Sequence, residues 1–291
     1  MKVALCLSGH INNFYGARKQ ILDLVDGTNC DVFCYTSDMM SCRLALCKGK
    51  LWKELKNKNK TIIKLVVPPK KECISKGSKH AENDFYGYGW NVDKFVLENF
   101  LKKTFGSSLK KCFVWEQYRK EINDNPLKFK WDHIRKNELY KIYECHKLME
   151  KYEQENNFKY DVVIRSRLDL QLKKMISLPF PGDKYIATLG GWPCPLSSNK
   201  KYFVPGFCYG DRESMRIFAE LIEVKDSKKY TDKVYATSNG HGPCKGAYLE
   251  PIVSHYLADK DINIIYLTKG PKNNRPYKLI RGIPDYEKYK I

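Results

Sequence analysis

Residues 160–172 read Tyr160-Asp161-Val162-Val163-Ile164-Arg165-Ser166-Arg167-Leu168-Asp169-Leu170-Gln171-Leu172, and the fold turns on how that stretch is read. Val162, Val163 and Ile164 form a continuous β-branched run, the pattern of a strand buried on both faces. Behind the run, Arg165, Arg167 and Asp169 alternate at period two, so a strand continuing through them sends all three side chains to one face. Charges at the end of a buried strand are costly unless they meet partners. Two arrangements satisfy them: a structural ion-pair cluster, or a metal-bound diphosphate that answers both signs at once.

The chain before this stretch alternates strands with helices. Residues 3–7 are a short apolar strand that breaks at Ser8-Gly9-His10 and gives way to a helical pattern through Ala17, Ile21, Leu22 and Val25. A strand, a glycine turn and a helix open many nucleotide-binding α/β domains, with the ligand beyond the carboxyl end of the strand. Neither G-x-G-x-x-G nor G-x-x-x-x-G-K-[ST] is present, which removes the main support for dinucleotide binding or ATP hydrolysis. Residues 31–36 read as a second strand and residues 61–67 as a third, stopping at Pro68-Pro69. The alternation predicts a mainly parallel sheet.

Residues 70–92 are polar and glycine-rich and end in Phe85-Tyr86-Gly87-Tyr88-Gly89-Trp90. Aromatics between glycines suit a mobile loop that stacks on a planar or sugar ligand, and equally a loop that packs its rings on the domain. From Trp131 to Tyr152 a helical stripe runs through Leu139, Ile142, Tyr143, His146 and Met149 or Glu150. That stripe makes His146 a hydrogen-bonded core histidine rather than a metal ligand. Asn156-Asn157 ends the helix and the central strand follows.

Beyond the central strand, residues 178–182 form a Pro-containing turn, 185–189 a short strand, and Gly190-Gly191-Trp192-Pro193 a rigid loop tipped by an aromatic. Asp211 is placed to cap a helix through Met215, Phe218 and Leu221. A Gly-rich loop over 238–246 leads to Leu249-Glu250-Pro251, a helix start with proline in its first turn, and on through His255 to Leu257. Residues 262–267 read as the last strand, and the basic tail as a surface extension.

Composition narrows the function. The 291 residues are 43% hydrophobic and 13% aromatic, enough for a well-filled core. A net charge of +19 favours anionic partners such as nucleotides, nucleic acid or acidic membrane surfaces. Much of that charge lies between Lys48 and His80, which reads as a solvated face or as a binding patch. The eleven cysteines are odd in number and scattered, with no C-x-x-C pair. Cys6, Cys34, Cys112 and Cys208 stand in apolar runs as small core residues, so the thiols are expected reduced and the setting cytoplasmic. The first apolar run is too short for a signal segment, and no stretch reaches the eighteen or so apolar residues of a membrane span.

The opening Lys2-Val3-Ala4-Leu5-Cys6-Leu7-Ser8-Gly9, Asp31-Val32-Phe33, the helix over 138–157, residues 160–170, Phe207-Cys208-Tyr209-Gly210 with Met215, and Leu249-Glu250-Pro251 through Leu257 together resemble a group of small glycosyltransferase-like proteins of large DNA viruses and bacteria. The blocks come in matching order over most of the chain. The resemblance implies a GT-A fold: a Rossmann-type α/β/α sandwich with a mainly parallel central sheet, as one domain over 1–291. Its nucleotide-sugar-binding half would be 1–170, its acceptor and catalytic half 171–270, and its basic extension 271–291. It implies transfer of a sugar from a UDP- or GDP-sugar to a glycan or glycoprotein acceptor, with Mn²⁺ or Mg²⁺ at an Asp-x-Asp element. Here Arg167-Leu168-Asp169 puts an arginine where the first aspartate would stand.

Candidate roles follow. Main-chain groups of Leu7, Ser8, Gly9, Tyr35 and Thr36, and with them the Tyr35 ring, are expected to hold base and ribose. Arg165 and Arg167 would stabilise the departing diphosphate, and Asp169 would ligate the metal with oxygen-rich company, His255 being a late candidate ligand. Glu250 is the candidate base for an inverting reaction, and otherwise a carboxylate complementing its helix dipole. Tyr88, Trp90, Gly191 and Trp192 are the candidate acceptor-binding residues. A sulfotransferase is the alternative enzyme, but Ser8-Gly9-His10-Ile11-Asn12-Asn13 offers no Lys or Arg for a phosphosulfate. A basic nucleic-acid-binding protein is the non-enzyme alternative, and no helix-turn-helix, zinc finger or RNP signature supports it.

Overall fold

The computed structural model describes residues 1–11, 14–37, 39–43, 64–66, 87–91, 93–115, 133–172, 182–189, 203–224, 230, 249–267 and 277–279. Twelve strands are found among them: β1 (Val3–Ser8), β2 (Asp31–Ser37), β3 (Met39–Arg43), β4 (Lys64–Val66), β5 (Gly87–Asn91), β6 (Leu109–Trp115), β7 (Val162–Ser166), β8 (Leu170–Leu172), β9 (Tyr185–Thr188), β10 (Phe207–Asp211), β11 (Asn263–Tyr266) and β12 (Tyr277–Leu279). The described α-helices are α1 (Phe14–Thr28), α2 (Lys94–Phe105), α3 (His133–Glu155), α4 (Arg212–Ala219) and α5 (Leu249–Asp259).

Seven strands form one sheet in the order β11-β9-β10-β7-β1-β2-β6. Every adjacent pair is parallel except the two made by β10, which runs against β7 and β9. The result is an α/β fold with a mostly parallel mixed sheet and helices on both faces, as the alternation of apolar strands and amphipathic helices predicts. β1 and β7 sit at its centre with every residue buried. That explains their unbroken apolar runs, because both faces are covered.

Strand alternation sorts the core into two layers. Leu5, Leu7, Cys34, Ile164 and Phe207 face α1 and α2, meeting Phe14, Ile21, Leu24, Phe100 and Leu101. Ala4, Cys6, Phe33, Tyr35, Val163 and Cys208 face the other way, against Leu139, Ile142, Cys145 and Met149 of α3, Phe218 of α4 and Val253 of α5. Burying each such aliphatic or aromatic side chain is worth roughly 1.5–3 kcal/mol. Cys6, Cys34 and Cys208 are core residues as expected, while Cys112 is half-buried, and all four thiols are free.

Local signals set the boundaries. Asp93 caps α2 by accepting Val96 N–H, and Asp211 caps α4 by accepting Ser214 N–H, as its position before Met215 and Phe218 predicts. Asn157, at φ 52°, turns the chain out of α3 into β7. Gly210 is required by close approach, because a Cβ there would stand 2.5 Å from the Tyr185 carbonyl oxygen. Burial lowers the pKa of His146 to about 3, with Arg212 and Lys147 adding to the effect. This is the expected core histidine, although its Nε2 stands 3.7 Å from Glu150 Oε1, beyond hydrogen-bond reach.

Several expectations are corrected. The central strand stops at Ser166 rather than running through Asp169: Arg167 N–H donates to Gly206 O, and a turn brings Leu170 N–H back towards Arg167 O. The described part of the run over 61–67 is β4, which joins β3 and β5 in a separate antiparallel sheet rather than the parallel one. Gly87–Asn91, expected in a loop, is strand β5. The place beside β2 belongs to β6, whose apolar part is Cys112-Phe113-Val114-Trp115. β11 is not the last strand, since Tyr277–Leu279 in the basic tail pairs antiparallel with β8.

Candidate functional site

The chain runs from β1 through α1 to β2 and β6 on one side, and α3 then carries it back across to β7 on the other side of β1. The sheet order therefore reverses between β1 and β7. In open α/β sheets, ligands bind outside the carboxyl ends of the strands at such a point. Ser8 ends β1 and Ser166 ends β7, so the two sequence stretches singled out above, Leu7-Ser8-Gly9 and Arg165 to Asp169, meet there.

The turn after β1 is tied to β2. Gly9 N–H donates to Tyr35 O at 3.3 Å, and Thr36 Oγ1 donates to Gly9 O at 2.9 Å. Gly9 has φ 128°, a conformation that side-chain-bearing residues rarely adopt. The Tyr35 ring lies in the core, stacked on Phe113 at 5.1 Å with Tyr140 edge-on. Burial raises the Tyr35 phenol far above its ordinary range.

On β7, Arg165 is 2% exposed. Its register neighbours are Cys6 and Cys208, whose thiols are weak acceptors. Its Nη2 is 3.5 Å from Glu138 Oε1 on α3, while Nε and Nη1 are buried with no hydrogen-bond partner. Burial lowers the pKa of this guanidinium, with Glu138 opposing the shift. Ser8 Oγ, on the neighbouring strand and the same sheet face as Cys6, is a second buried polar atom without a partner.

Arg167 turns away from the strand and grips Asp169 twice, Nε to Oδ1 at 2.8 Å and Nη2 to Oδ2 at 2.9 Å. Its Nη1 is 3.8 Å from the same Glu138 oxygen that Arg165 approaches. Burial acts against the Arg167 charge, but Asp169, Glu138 and Glu250 together hold it firmly protonated. Burial pushes Asp169 up; Arg167 and then His10 outweigh it and hold the carboxyl below the usual carboxylate range.

Two residues of this neighbourhood were not anticipated. Lys141, one helical turn beyond Glu138 on α3, is 1% exposed and places Nζ 3.2 Å from Ser37 Oγ and 3.4 Å from His10 Nδ1. His10 Nδ1 is itself 3.0 Å from Ser37 Oγ. A lysine on the apolar stripe of an amphipathic helix, between Leu139 and Ile142 and before Cys145, was the available signal.

Glu250 stands in the first turn of α5, half-buried, and its charge is the last of those that favour the protonated Arg167, after Asp169 and Glu138. His255, half-buried, follows five residues later, about 140° around the helix axis, so the two do not share a face. Tyr88 and Trp90 lie in β5, paired with Cys42 and Met40, away from the seven-stranded sheet's hydrogen-bonded ladder. Gly191 and Trp192 lie outside the described residues.

A divalent ion fits these side chains poorly. Both oxygens of Asp169 are engaged by Arg167, and Mn²⁺ or Mg²⁺ would have to displace that guanidinium with Arg165 nearby. Among the described residues no three His, Cys, Asp or Glu side chains converge as a metal site. No helix among them is long and apolar enough to cross a membrane.

No family model and no curated protein matches the chain. Among solved structures, it is similar to the crystal structure of a glycosyltransferase involved in the glycosylation of the major capsid of PBCV-1, at 9% identity and a TM-score of 0.28, over 60% of this chain and 73% of that one. At that score the likeness adds nothing to the fold, which stands on strand order and register.

Proposed function

We propose that the protein is a glycosyltransferase, transferring a sugar from a UDP- or GDP-sugar to a glycan or glycoprotein acceptor. The observation that carries this reading is Arg165: a buried guanidinium with two of its nitrogens, Nε and Nη1, lacking a hydrogen-bond partner at the point where the sheet order reverses. A buried donor without an acceptor is rare in a folded protein and calls for a ligand or water. A diphosphate supplies acceptor oxygens and the opposite charge together.

In the proposed reaction the bond from the sugar anomeric carbon to the diphosphate oxygen breaks, and its electron pair leaves with the diphosphate. Arg165 and Arg167 stabilise the charge that develops there. The acceptor hydroxyl oxygen forms the new bond to the anomeric carbon. For an inverting transfer its proton passes to Glu250, the carboxylate in the first turn of α5. Ser8 Oγ and the main chain of Leu7 to Gly9 and of Tyr35 to Thr36 are the proposed contacts to base and ribose. The Tyr35 ring supports the crevice wall, since Phe113 and Tyr140 already cover it.

A thermal-shift screen of UDP, GDP and their sugars tests the reading, because a ligand that binds only the folded state raises the melting temperature. A rise with one nucleoside diphosphate at millimolar concentration or below is expected. Equal stabilisation by inorganic diphosphate would remove the base-pocket claim, and no response to any of them would remove the function.

A further inference from the structure

Arg165, Arg167 and Lys141 are three basic side chains drawn to one end of the sheet, two of them almost fully buried. Glu138 Oε1 is shared between the two guanidiniums, at 3.5 and 3.8 Å, and the Asp169 carboxylate is spent on Arg167. Nε and Nη1 of Arg165 are left without acceptors, and Ser8 Oγ at the end of the neighbouring strand is in the same condition. A divalent cation cannot satisfy the two Arg165 nitrogens, which are N–H donors only. It would also have to displace the Arg167 guanidinium that holds both oxygens of the carboxylate it needs. An anion satisfies the donors directly.

The geometry points to a donor diphosphate that is bound, and whose departure is stabilised, by the chain's own cations, with Arg165 contacting the diphosphate and no divalent metal required. This rests on the glycosyltransferase reading above. Asp169 is then a positioning residue: its two hydrogen bonds hold the Arg167 guanidinium in place. Lys141, held by Ser37 and His10 one turn along α3 from Glu138, adds a further nitrogen donor at the end of β2. The electron pair of the breaking anomeric carbon–oxygen bond stays on the diphosphate oxygen, where these charges receive it, and the acceptor proton leaves to the base as before.

Isothermal titration of UDP and GDP into the full chain, in EDTA and in Mn²⁺, tests this alongside the melting temperature. The expected result is binding of one nucleotide with affinities equal within about twofold in the two buffers. Arg165→Met should weaken that binding by about tenfold or more, an effect of losing charge-assisted bonds, with Arg165→Lys intermediate. The melting temperature of Arg165→Met should hold or rise, because an incompletely paired buried charge is exchanged for an apolar chain of similar length. Binding seen only with Mn²⁺ overturns the inference and leaves the transferase standing. Unchanged affinity in both Arg165 variants, with a lowered melting temperature, overturns it too and makes Arg165 structural. Binding of neither nucleotide in either buffer overturns the transferase reading itself.

Discussion

Arg167 and Asp169 stand two residues apart on the turn that follows the central strand, and their side chains are joined through both carboxylate oxygens, at 2.8 and 2.9 Å. Had the strand continued, the same spacing would have aligned both on one face without fixing the guanidinium. The turn closes the pair into a rigid unit beside Arg165 and Glu138.

Asp169→Asn keeps the shape of this unit and removes its charge. Circular dichroism should be nearly unaltered, because Arg167 is 30% exposed at its side chain and reaches solvent. Nucleotide affinity and transfer should both fall, since an amide offers only one acceptor to a fork that needs two. Unfolding of the variant would instead make the cluster purely structural. The pair also has a pH signature. A carboxyl held low in the folded state adds stability that is complete above its unfolded value of about 3.9 and is lost as pH falls through the folded value. The wild type should therefore show an acid arm below about pH 4 that is missing in Asp169→Asn, read from denaturant midpoints.

Glu250→Gln tests the base. If Glu250 takes the acceptor proton in an inverting reaction, kcat should drop by roughly 10²–10⁴-fold with donor affinity nearly unchanged. Activity within a few-fold of wild type would return Glu250 to the role of a helix-start carboxylate. Weakened donor binding would place it beside the nucleotide sugar through Arg167. NMR of the first-formed anomer is needed in parallel, because retention of configuration removes the need for this base.

His146 predicts a second acid-sensitive arm. In the unfolded chain the imidazole protonates near its ordinary 6.5, whereas in the folded core burial and the neighbouring Arg212, Lys147 and Arg216 hold it neutral down to about 3, with Glu213 and Glu150 opposing. Between those values the unfolded state binds a proton that the folded state refuses, so stability falls as pH falls. By pH 5 the loss is about 2 kcal/mol. His146→Leu should flatten the denaturant midpoint between pH 6.5 and 4; an unchanged slope would show that the imidazole is solvated.

Arg212 clamps three elements. It leads α4, meets both oxygens of Glu153 on α3 at 2.8–2.9 Å, and Glu153 in turn accepts Tyr160 N–H at the approach to β7. Arg212→Ala strands a carboxylate that is 4% exposed, a loss of about 3–5 kcal/mol for a broken buried pair. Denaturant unfolding should show that loss without a change in nucleotide affinity for the folded protein. A loss below about 1 kcal/mol would class the pair with surface ion pairs.

Local chemistry made part of this protein readable. The β-branched run at Val162 to Ile164, the apolar start at Val3, the cap at Asp211, the helical stripe through Leu139, Ile142 and Met149, and the left-handed Asn157 after it are each decided within a turn or a strand of their own position. Weak local signals misled. β6 carries Lys110 and Lys111 before its apolar part, and β5 is rich in glycine, yet pairing with β2 and with β3 and β4 makes strands of both.

The site divides in the same way. Sequence alone determined that Arg165, Arg167 and Asp169 stand at or just past the end of a buried strand and that Leu7-Ser8-Gly9 ends another, because a β-branched apolar run and a glycine turn are local properties. Only the tertiary structure decided that the strand breaks at Ser166, that Arg167 closes on Asp169, and that α3 brings Glu138 and Lys141 over β1, β2 and β7. Those depend on which strand lies next to which: the crossover from β6 to β7 passes over β1, and no residue-by-residue preference encodes that adjacency.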